Sequence, residues 1–191
     1  MCERPTQRGN HITGHRAIQR SGSPQSAPLS YKVDMRVTAI QYKAIKGDHE
    51  ASLAGLVALA EQGAQETDLL VLPEMAVTGY AFESVEAART VAEAPEGPTF
   101  EALSKIARHH RCWIVSGFPE DADERLYNSA HVIDPQGQLA FVYRKTMLYE
   151  ADLPWATPGD SGWRSFETTA GSFAVGICMD LNDDGLIAWL I

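Results

Sequence analysis

Three short apolar segments of this chain each end directly in a chemically reactive side chain. Residues 68–74 end in a glutamate, residues 138–145 end in a lysine, and residues 171–178 end in a cysteine. Short apolar runs bounded by glycine, proline or charged residues are typical of buried strands. The pattern therefore predicts a sheet whose strand ends present a carboxylate, an ammonium group and a thiol.

The segments around the first of these strands predict an α/β fold. A buried strand is expected over residues 37–42, and Asp48 is suited to cap the helix that follows. A second strand over residues 68–72 then completes a strand–helix–strand unit, which favours a parallel or mixed sheet. The apolar residues of the helix recur at the spacing of one buried face, namely Leu53, Leu56, Val57 and Ala60.

The rest of the chain predicts one more helix, one more strand and two antiparallel pairs of strands. Pro98 is suited to the first position of the helix. The expected strands are residues 112–117, 127–134, 139–144, 163–168 and 172–178.

The glutamate, lysine and cysteine at the strand ends are suited to covalent catalysis. A protonated thiol is a poor nucleophile, and it needs a base to take its proton and a positive neighbour to favour the thiolate. Each residue also has an ordinary interpretation when it is taken alone. Glu74 is then a solvated turn residue, Lys145 a surface charge and Cys178 an inert buried thiol.

The sequence lacks the patterns of several common metal and cofactor sites. Its cysteines are far apart and no His-x-x-x-His helix is expected beside them, so the zinc spacing is missing. The glycines form neither Gly-x-Gly-x-x-Gly nor the Walker pattern, and Gly-x-Ser-x-Gly does not occur. We therefore expect catalysis without a metal or a cofactor.

Composition predicts a soluble globular protein that binds neither nucleic acid nor membrane. Apolar residues make up 45% of the chain and charged residues 21%. The net charge is −9, and nucleic-acid binding depends on clustered lysine and arginine. No apolar run approaches the length of a membrane span. Three cysteines, an odd and sparse count, favour a reducing cytoplasm over a disulfide scaffold.

Residues 1–34 differ in composition from the remainder of the chain. They hold five basic and two acidic residues, a net charge of +3, which leaves −12 for residues 35–191. Serine, glycine, proline and arginine dominate, and no periodic apolar face is present, so we expect a disordered tail. A transit peptide is an alternative. A natural start of translation at Met35 is another, and we favour it.

Several motifs, in order along residues 35–191, resemble the carbon-nitrogen hydrolases of the nitrilase superfamily. Each motif alone is weak, whereas the ordered set is a strong signal. The joint occurrence of the three strand-end residues in this order favours their catalytic interpretation. The motifs are Leu-Pro-Glu-Met at 72–75, Thr-Gly-Tyr at 78–80, Tyr-Arg-Lys-Thr at 143–146, Thr-Pro-Gly-Asp at 157–160 and Gly-Ile-Cys-Met-Asp at 176–180.

The resemblance implies a four-layer α-β-β-α sandwich and a catalytic set. Glu74 is expected to act as general base, Cys178 as nucleophile, and Lys145 as the cation that stabilises the tetrahedral intermediate. Many relatives carry a second acidic residue after the lysine, usually a glutamate. Counting back from the Thr-Pro-Gly landmark favours Asp152 over Glu150 for that place, and the shorter side chain is a departure from the family pattern.

The substrate implied by the resemblance is a small amide or carbamoyl compound. The residues around the cysteine and lysine resemble the N-terminal amidase group more than the aromatic nitrilases, which favours a terminal Asn or Gln side chain or a small free amide. Tyr80, Tyr149 and Trp155 lie beside the catalytic segments. They are expected either to line the substrate pocket or to pack in the core. A homo-oligomer is possible.

The chain ends earlier than the family pattern, thirteen residues after Cys178. Residues 186–191 are typical of the start of a buried helix whose covering layers are missing. We therefore expect a sandwich that is incomplete at its C-terminus. A rival hypothesis follows, in which the chain is an inactive truncated product that acts only through association with another chain.

Overall fold

The computed structural model describes residues 34–80 and 82–191. The predicted tail, apart from Asp34, and Cys2 lie outside the described residues. The helices are α1 His49–Gly63, α2 Val85–Arg89, α3 Pro98–His110 and α4 Asp184–Leu190. The strands are β1 Val37–Ala39, β2 Leu69–Val71, β3 Trp113–Ala122, β4 Arg125–Ile133, β5 Leu139–Arg144, β6 Ser165–Thr168 and β7 Gly171–Ala174.

The first five strands form one mixed sheet in the order β1-β2-β3-β4-β5. β1, β2 and β3 are parallel, with Val37 opposite Leu69 and Leu69 opposite Trp113. β4 and β5 continue the sheet in antiparallel fashion. The predicted strand–helix–strand unit is therefore confirmed, and β6 and β7 form a separate two-stranded sheet.

Both predicted long helices begin where their capping residues indicate. Asp48 Oδ1 accepts a hydrogen bond from the backbone N–H of Ala51 at 3.0 Å and so caps α1. α3 begins at Pro98, where the missing N–H costs nothing. The sequence did not predict α2, because a helix of five residues capped by Ser84 is too short to show periodicity.

The sheet separates two apolar clusters, because successive side chains of a strand point to opposite faces. On one face, Leu70 and Ile114 pack against α1 and α3. On the other face, Val132 and Tyr143 pack in a cluster that includes Phe166 of β6. The strand ends that carry the candidate residues lie at one edge of this two-sided core.

β3 continues past its predicted end at Gly117 and reaches Ala122. β2 ends at Val71, so residues 118–122 of β3 extend beyond the end of β2. Glu93 forms an isolated parallel bridge with Glu120 there instead, and its N–H donates to the carbonyl of Pro119 at 3.0 Å. A proline is tolerated in a strand where its missing N–H is not required.

Three other strands are shorter than predicted, because each extends only as far as its partner. β1 pairs over three residues with β2 and ends at Ala39, not at residue 42. β6 begins at Ser165 and β7 ends at Ala174, where their pairing stops. The chain then passes through residues 175–177 to a short 3₁₀ helix over Cys178–Asn182.

α4 lies where a terminal helix was predicted and leaves one face uncovered. Leu186 is buried, whereas Trp189 and Leu190 are 43% and 48% exposed. Within residues 34–80 and 82–191, no helix combines the length and apolarity needed to cross a bilayer.

His131 of β4 is a fully buried titratable residue whose ring stacks on that of Phe118, with 3.6 Å between the ring centroids. Burial lowers the pKa of His131 to about 3, and the backbone of Pro95 offsets part of that effect. The unfolded chain takes up this proton near pH 6.5. Because the unfolded state then binds more protons than the folded state, stability falls as the pH drops from about 6.5 towards 3.

We expect His131→Leu to remove this acid sensitivity. Between pH 6.5 and 4 the wild-type free energy of unfolding should fall by roughly 3 kcal/mol more than that of the variant. Urea unfolding at a series of pH values measures the difference, with the exposed His109→Leu as control. If the difference in the free energy of unfolding between wild type and His131→Leu did not change with pH, the lowered pKa of His131 would be contradicted.

Candidate active site

A buried ammonium group lies between two carboxylates at the centre of the candidate site. Lys145 Nζ is 2.9 Å from Glu74 Oε1 and 2.6 Å from Asp152 Oδ2. The side chains of Lys145 and Asp152 are fully buried, and that of Glu74 is 16% exposed. The partly open edge of Glu74 therefore gives this cluster its access to solvent.

The two carboxylates keep Lys145 charged. Burial by itself lowers the pKa of this amine, but the hydrogen bonds and charges of Asp152 and Glu74 outweigh burial, so the pKa is raised above its ordinary value. The structure thus holds a permanent positive charge in a site with little water, where such a charge acts most strongly on a developing anion.

Glu74 is held by a close contact between two backbones. The N–H of Gly117 donates to the carbonyl of Pro73 at 3.1 Å, and the N–H of Ala76 donates to the carbonyl of Gly117 at 3.0 Å. A Cβ atom on Gly117 would lie 2.5 Å from Glu74 Cα. Only a glycine allows this approach, and Met75 then turns the chain with a positive φ of 51°.

Lys145 is held by its own backbone on both sides. Its N–H donates to the carbonyl of Asn128 at 2.8 Å, and its carbonyl accepts from the N–H of Gly159 at 2.8 Å. A Cβ atom on Gly159 would clash with the backbone of Arg144. The Thr-Pro-Gly-Asp motif therefore packs its glycine directly against the end of β5.

Asp152 occupies the place predicted for the second acidic residue. Its Oδ2 accepts from Lys145 and, at 2.9 Å, from the backbone N–H of Tyr149. Glu150, the alternative, is exposed. The shorter aspartate reaches the lysine because the turn over residues 149–156 brings its backbone close.

Asn128 of β4 belongs to the cluster, although the sequence analysis did not identify it. Its Nδ2 donates to Glu74 Oε1 at 2.7 Å and to Asp152 Oδ1 at 3.0 Å. The residue is fully buried. Asparagine is uncommon in strands, so its presence in β4 is the sequence signal that could have identified it as part of the cluster.

Cys178 lies on a strained turn and is exposed. Its φ of 48° lies in the left-handed region that non-glycine residues rarely adopt, and such strain is concentrated at functional sites. Within the residues that the structure describes, no hydrogen bond joins the Cys178 thiol to Glu74 or Lys145. Cys178 is therefore open to solvent.

Asp180 ties the cysteine turn to the lysine segment, and the sequence analysis did not identify this role. The side chain is fully buried. Its Oδ2 accepts from the backbone N–H of Ile177 at 2.9 Å and from the Tyr143 hydroxyl at 2.8 Å. Its Oδ1 accepts from the N–H groups of Thr146 and Met147 at 3.0 and 2.8 Å, and from the Thr146 hydroxyl. One carboxylate thus fixes the Cys178 turn against the two residues that follow Lys145.

Cys112 shows the opposite environment. It is fully buried in the cluster beneath α1 and α3, and burial raises the pKa of its thiol to about 11. A buried, protonated thiol is inert, so Cys112 serves the packing of the core.

The predicted aromatic residues occupy different environments. Tyr80 and Tyr149 are 45% and 47% exposed. Trp155 is 4% exposed and packs in a small apolar cluster with Met75 and Leu126. Of the two roles expected for these rings, packing describes the surroundings of Trp155, whereas the two tyrosines are free to meet a ligand.

The part of the chain that the structure describes holds no group of three or more His, Cys, Asp and Glu side chains arranged to bind a metal ion.

Comparison with known proteins gives one family and several relatives. The sequence model of the family described as carbon-nitrogen hydrolase matches residues 36–190. The chain is 36% identical over 135 residues to the protein N-terminal amidase of Saccharomyces cerevisiae, which covers 60% of this chain and 30% of that protein. It is 40% identical over 122 residues to a nitrilase of Pyrococcus abyssi, covering 63% of this chain and 45% of that protein. The chain thus spans less than half the length of either relative.

Solved structures agree with the fold. The crystal structure of an N-terminal amidase matches with a TM-score of 0.66 and 28% identity, over 77% of this chain and 40% of that chain. An amidase from Nesterenkonia sp. matches with a TM-score of 0.63 over 77% of this chain and 56% of that chain, and at 21% identity this likeness concerns the fold alone. The predicted nitrilase-like α/β fold is confirmed.

We expect Asp180→Asn to destabilise the fold by about 2–4 kcal/mol, because an amide cannot accept all the hydrogen bonds that this buried carboxylate accepts. Denaturant unfolding measures the loss. Asp183→Asn is the matched control, since Asp183 caps α4 and asparagine is an equally good cap. Equal and small effects in both variants would show that Asp180 does not hold the turn.

Proposed function

Because the chain belongs to the carbon-nitrogen hydrolase family, we propose that it hydrolyses the carbon–nitrogen bond of an amide or carbamoyl compound through a thioester on Cys178. The observation that carries this proposal is the buried Lys145, paired with Glu74 and Asp152 and joined to the Cys178 turn through Asp180. A base, a fixed cation and an exposed thiol are the groups that this chemistry requires.

In the first half-reaction Glu74 takes the proton of the Cys178 thiol, and the sulfur attacks the carbonyl carbon of the substrate. The carbonyl oxygen gains negative charge, which Lys145 and the backbone N–H of Met179 stabilise. Glu74 then returns its proton to the substrate nitrogen. The carbon–nitrogen bond breaks, ammonia or an amine leaves, and a thioester remains on the sulfur.

In the second half-reaction water attacks the thioester carbon. Glu74 takes a proton from that water, the same cation stabilises the second tetrahedral intermediate, and the carbon–sulfur bond breaks. The sulfur recovers its proton from Glu74 and the carboxylic acid leaves. Glu74 thus acts as base and then as acid in each half-reaction, so its carboxylate must stay near Lys145 without losing access to solvent.

Asp152 and Asn128 support this cycle without contacting the substrate. Asp152 supplies a second carboxylate to Lys145, so the amine stays charged and in place while Glu74 is protonated during the cycle. Asn128 donates to both carboxylates and fixes the spacing between them. Their proposed role is to position the reacting groups.

The proposed substrate is a small-molecule amide. The relatives named N-terminal amidase, some of whose crystal structures contain Asn-Glu or Gln-Gly peptides, favour a primary amide of the Asn or Gln type. Tyr80 and Tyr149 are exposed and suited to contact it, whereas Trp155 supports the site from the core. The cytoplasm stays the predicted location.

A second candidate function is association without catalysis. Exposed apolar side chains on and next to α4 favour it, because such surfaces serve as interfaces. They are Leu181, Ile187, Trp189 and Leu190, which are 38–63% exposed.

The two candidates differ in the reactivity of Cys178. If Glu74 activates the thiol, iodoacetamide at pH 7 should alkylate Cys178 at least about tenfold faster in the wild type than in Glu74→Gln. Peptide mass spectrometry reports the rate at Cys178 and Cys112 separately. Glu150→Gln is the matched control, because this exposed glutamate lies outside the cluster, and it should react like the wild type.

A wild-type rate no higher than that of an ordinary thiol and unchanged in Glu74→Gln would refute the catalytic proposal. The association hypothesis would then be favoured. If Glu150→Gln slows the alkylation of Cys178 as much as Glu74→Gln does, a general charge effect explains the result. That outcome would also count against the catalytic proposal.

A further inference from the structure

A second ion pair links β3 to β5 inside the protein. Arg144, the last residue of β5, donates from Nε to Glu120 Oε2 at 2.9 Å and from Nη2 to Glu120 Oε1 at 2.6 Å. The Ser129 hydroxyl of β4 donates to the same Oε2 at 2.7 Å. The Glu120 side chain is 1% exposed. One buried carboxylate thus ties three neighbouring strands together at the end of β5.

This pair lies on the opposite face of the sheet from the buried cluster around Lys145. Arg144 directly precedes Lys145, and successive side chains of a strand point to opposite faces. Asn128 likewise precedes Ser129 in β4. One member of each dipeptide contacts Glu120, and the other belongs to the candidate site. The two clusters therefore share the backbone of the same two dipeptides.

Arg144 also orders the segment that holds the backbone of Lys145. Its Nη1 donates to Asp160 Oδ1 at 2.8 Å, and its guanidinium carbon lies 4.0 Å from the centroid of the Tyr127 ring, a cation–π contact. Asp160 follows Gly159, whose N–H donates to the carbonyl of Lys145. The strand before Lys145 and the loop beside it are thus both attached to one arginine.

The position of the Lys145 ammonium depends on these backbone supports. A lysine side chain is flexible and carries a point charge, unlike the planar fork of arginine. Its two carboxylate partners come from other segments of the chain, so the distances between the charges depend on where the end of β5 lies. A displacement of about 1 Å in a catalytic group can slow a reaction about a hundredfold.

Stability alone does not account for the pair of Arg144 and Glu120. Burial of two charges costs free energy, and apolar side chains of similar size often replace a buried ion pair without loss of stability. Apolar side chains do not reproduce the geometry that two parallel hydrogen bonds impose. The structure therefore points to a role for this pair in holding the geometry of the strand end.

We propose that Arg144 and Glu120 are positioning residues, whose two parallel hydrogen bonds hold the end of β5 so that the Lys145 ammonium stays between its two carboxylates. Both side chains lie on the other face of the sheet, so they act through Lys145 and not on the substrate. This inference rests on the proposed function, because the proposed reaction uses the charge of Lys145.

Removal of the pair tests the inference on the full chain without knowledge of the substrate. The Glu120→Leu/Arg144→Met variant deletes one charge of each sign, so the net charge is unchanged and neither member is left buried without the other. Burial lowers the pKa of Lys145, and its carboxylates more than offset that effect. A displaced ammonium should therefore have a lower pKa. We expect the pKa of Lys145, measured by ¹³C NMR of the lysine ε-carbons, to fall by about one unit, the lower end of the effect of an opposite charge.

A second arginine–carboxylate pair on β3 supplies the matched control. Arg89 Nη1 of α2 is 2.8 Å from Asp121 Oδ1, one residue beyond Glu120. The Arg89→Met/Asp121→Leu variant also removes one charge of each sign and contacts no residue of β5, so the pKa of Lys145 should keep its wild-type value. Urea unfolding of both double variants reports their stability separately.

A conservative variant keeps the test decisive if the first double variant does not fold. Glu120→Asp keeps both charges, but its shorter side chain no longer reaches the Arg144 fork from the same backbone position. We expect the pKa of Lys145 to fall in this variant as well, by a smaller amount, because the strand end is held less firmly.

The outcomes distinguish this inference from the function on which it rests. If the pKa of Lys145 is unchanged in Glu120→Asp and in every folded variant without the pair, the positioning role is overturned, even where stability is lost. An equal fall in Arg89→Met/Asp121→Leu overturns it too. A wild-type Cys178 that iodoacetamide alkylates slowly and independently of Glu74 overturns the proposed function instead, whatever the pKa of Lys145.

Discussion

The buried ion cluster around Lys145 is the interaction on which the candidate site depends. One ammonium group contacts two carboxylates from different segments, and Asn128 bridges the same carboxylates from a third. A buried charge that loses one partner is strongly unfavourable. The cluster therefore constrains three chain segments at once.

The sheet brings these groups together by close backbone contacts. Gly117 lets the Glu74 turn rest on β3, and Gly159 lets the Thr-Pro-Gly-Asp segment rest on the end of β5. Asp180 extends the arrangement to the strained Cys178 turn by accepting hydrogen bonds from both sides. The charged cluster is buried, whereas Cys178 is exposed.

Part of this arrangement could be predicted from the sequence. Glu74, Lys145 and Cys178 each end an apolar run, which is a local signal. Asp48 and Pro98 likewise predict where α1 and α3 begin. Asn128 could not be assigned because its partners lie 24 and 54 residues away along the chain. Asp180 could not be assigned because its partners on either side of Lys145 lie 33 to 37 residues away.

Tertiary context also explains the remaining differences. β3 extends through Pro119 because no strand competes for that edge, a fact that the local sequence does not carry.

The most direct measurement is the titration of Lys145 by NMR of protein labelled with ¹³C at the lysine ε-carbon, since the chain has only five lysines. The Lys145→Arg variant identifies its signal. The account predicts that Lys145 titrates above the ordinary lysine value of about 10.4. Titration below that value would show that the carboxylates do not hold the charge, and would contradict the account.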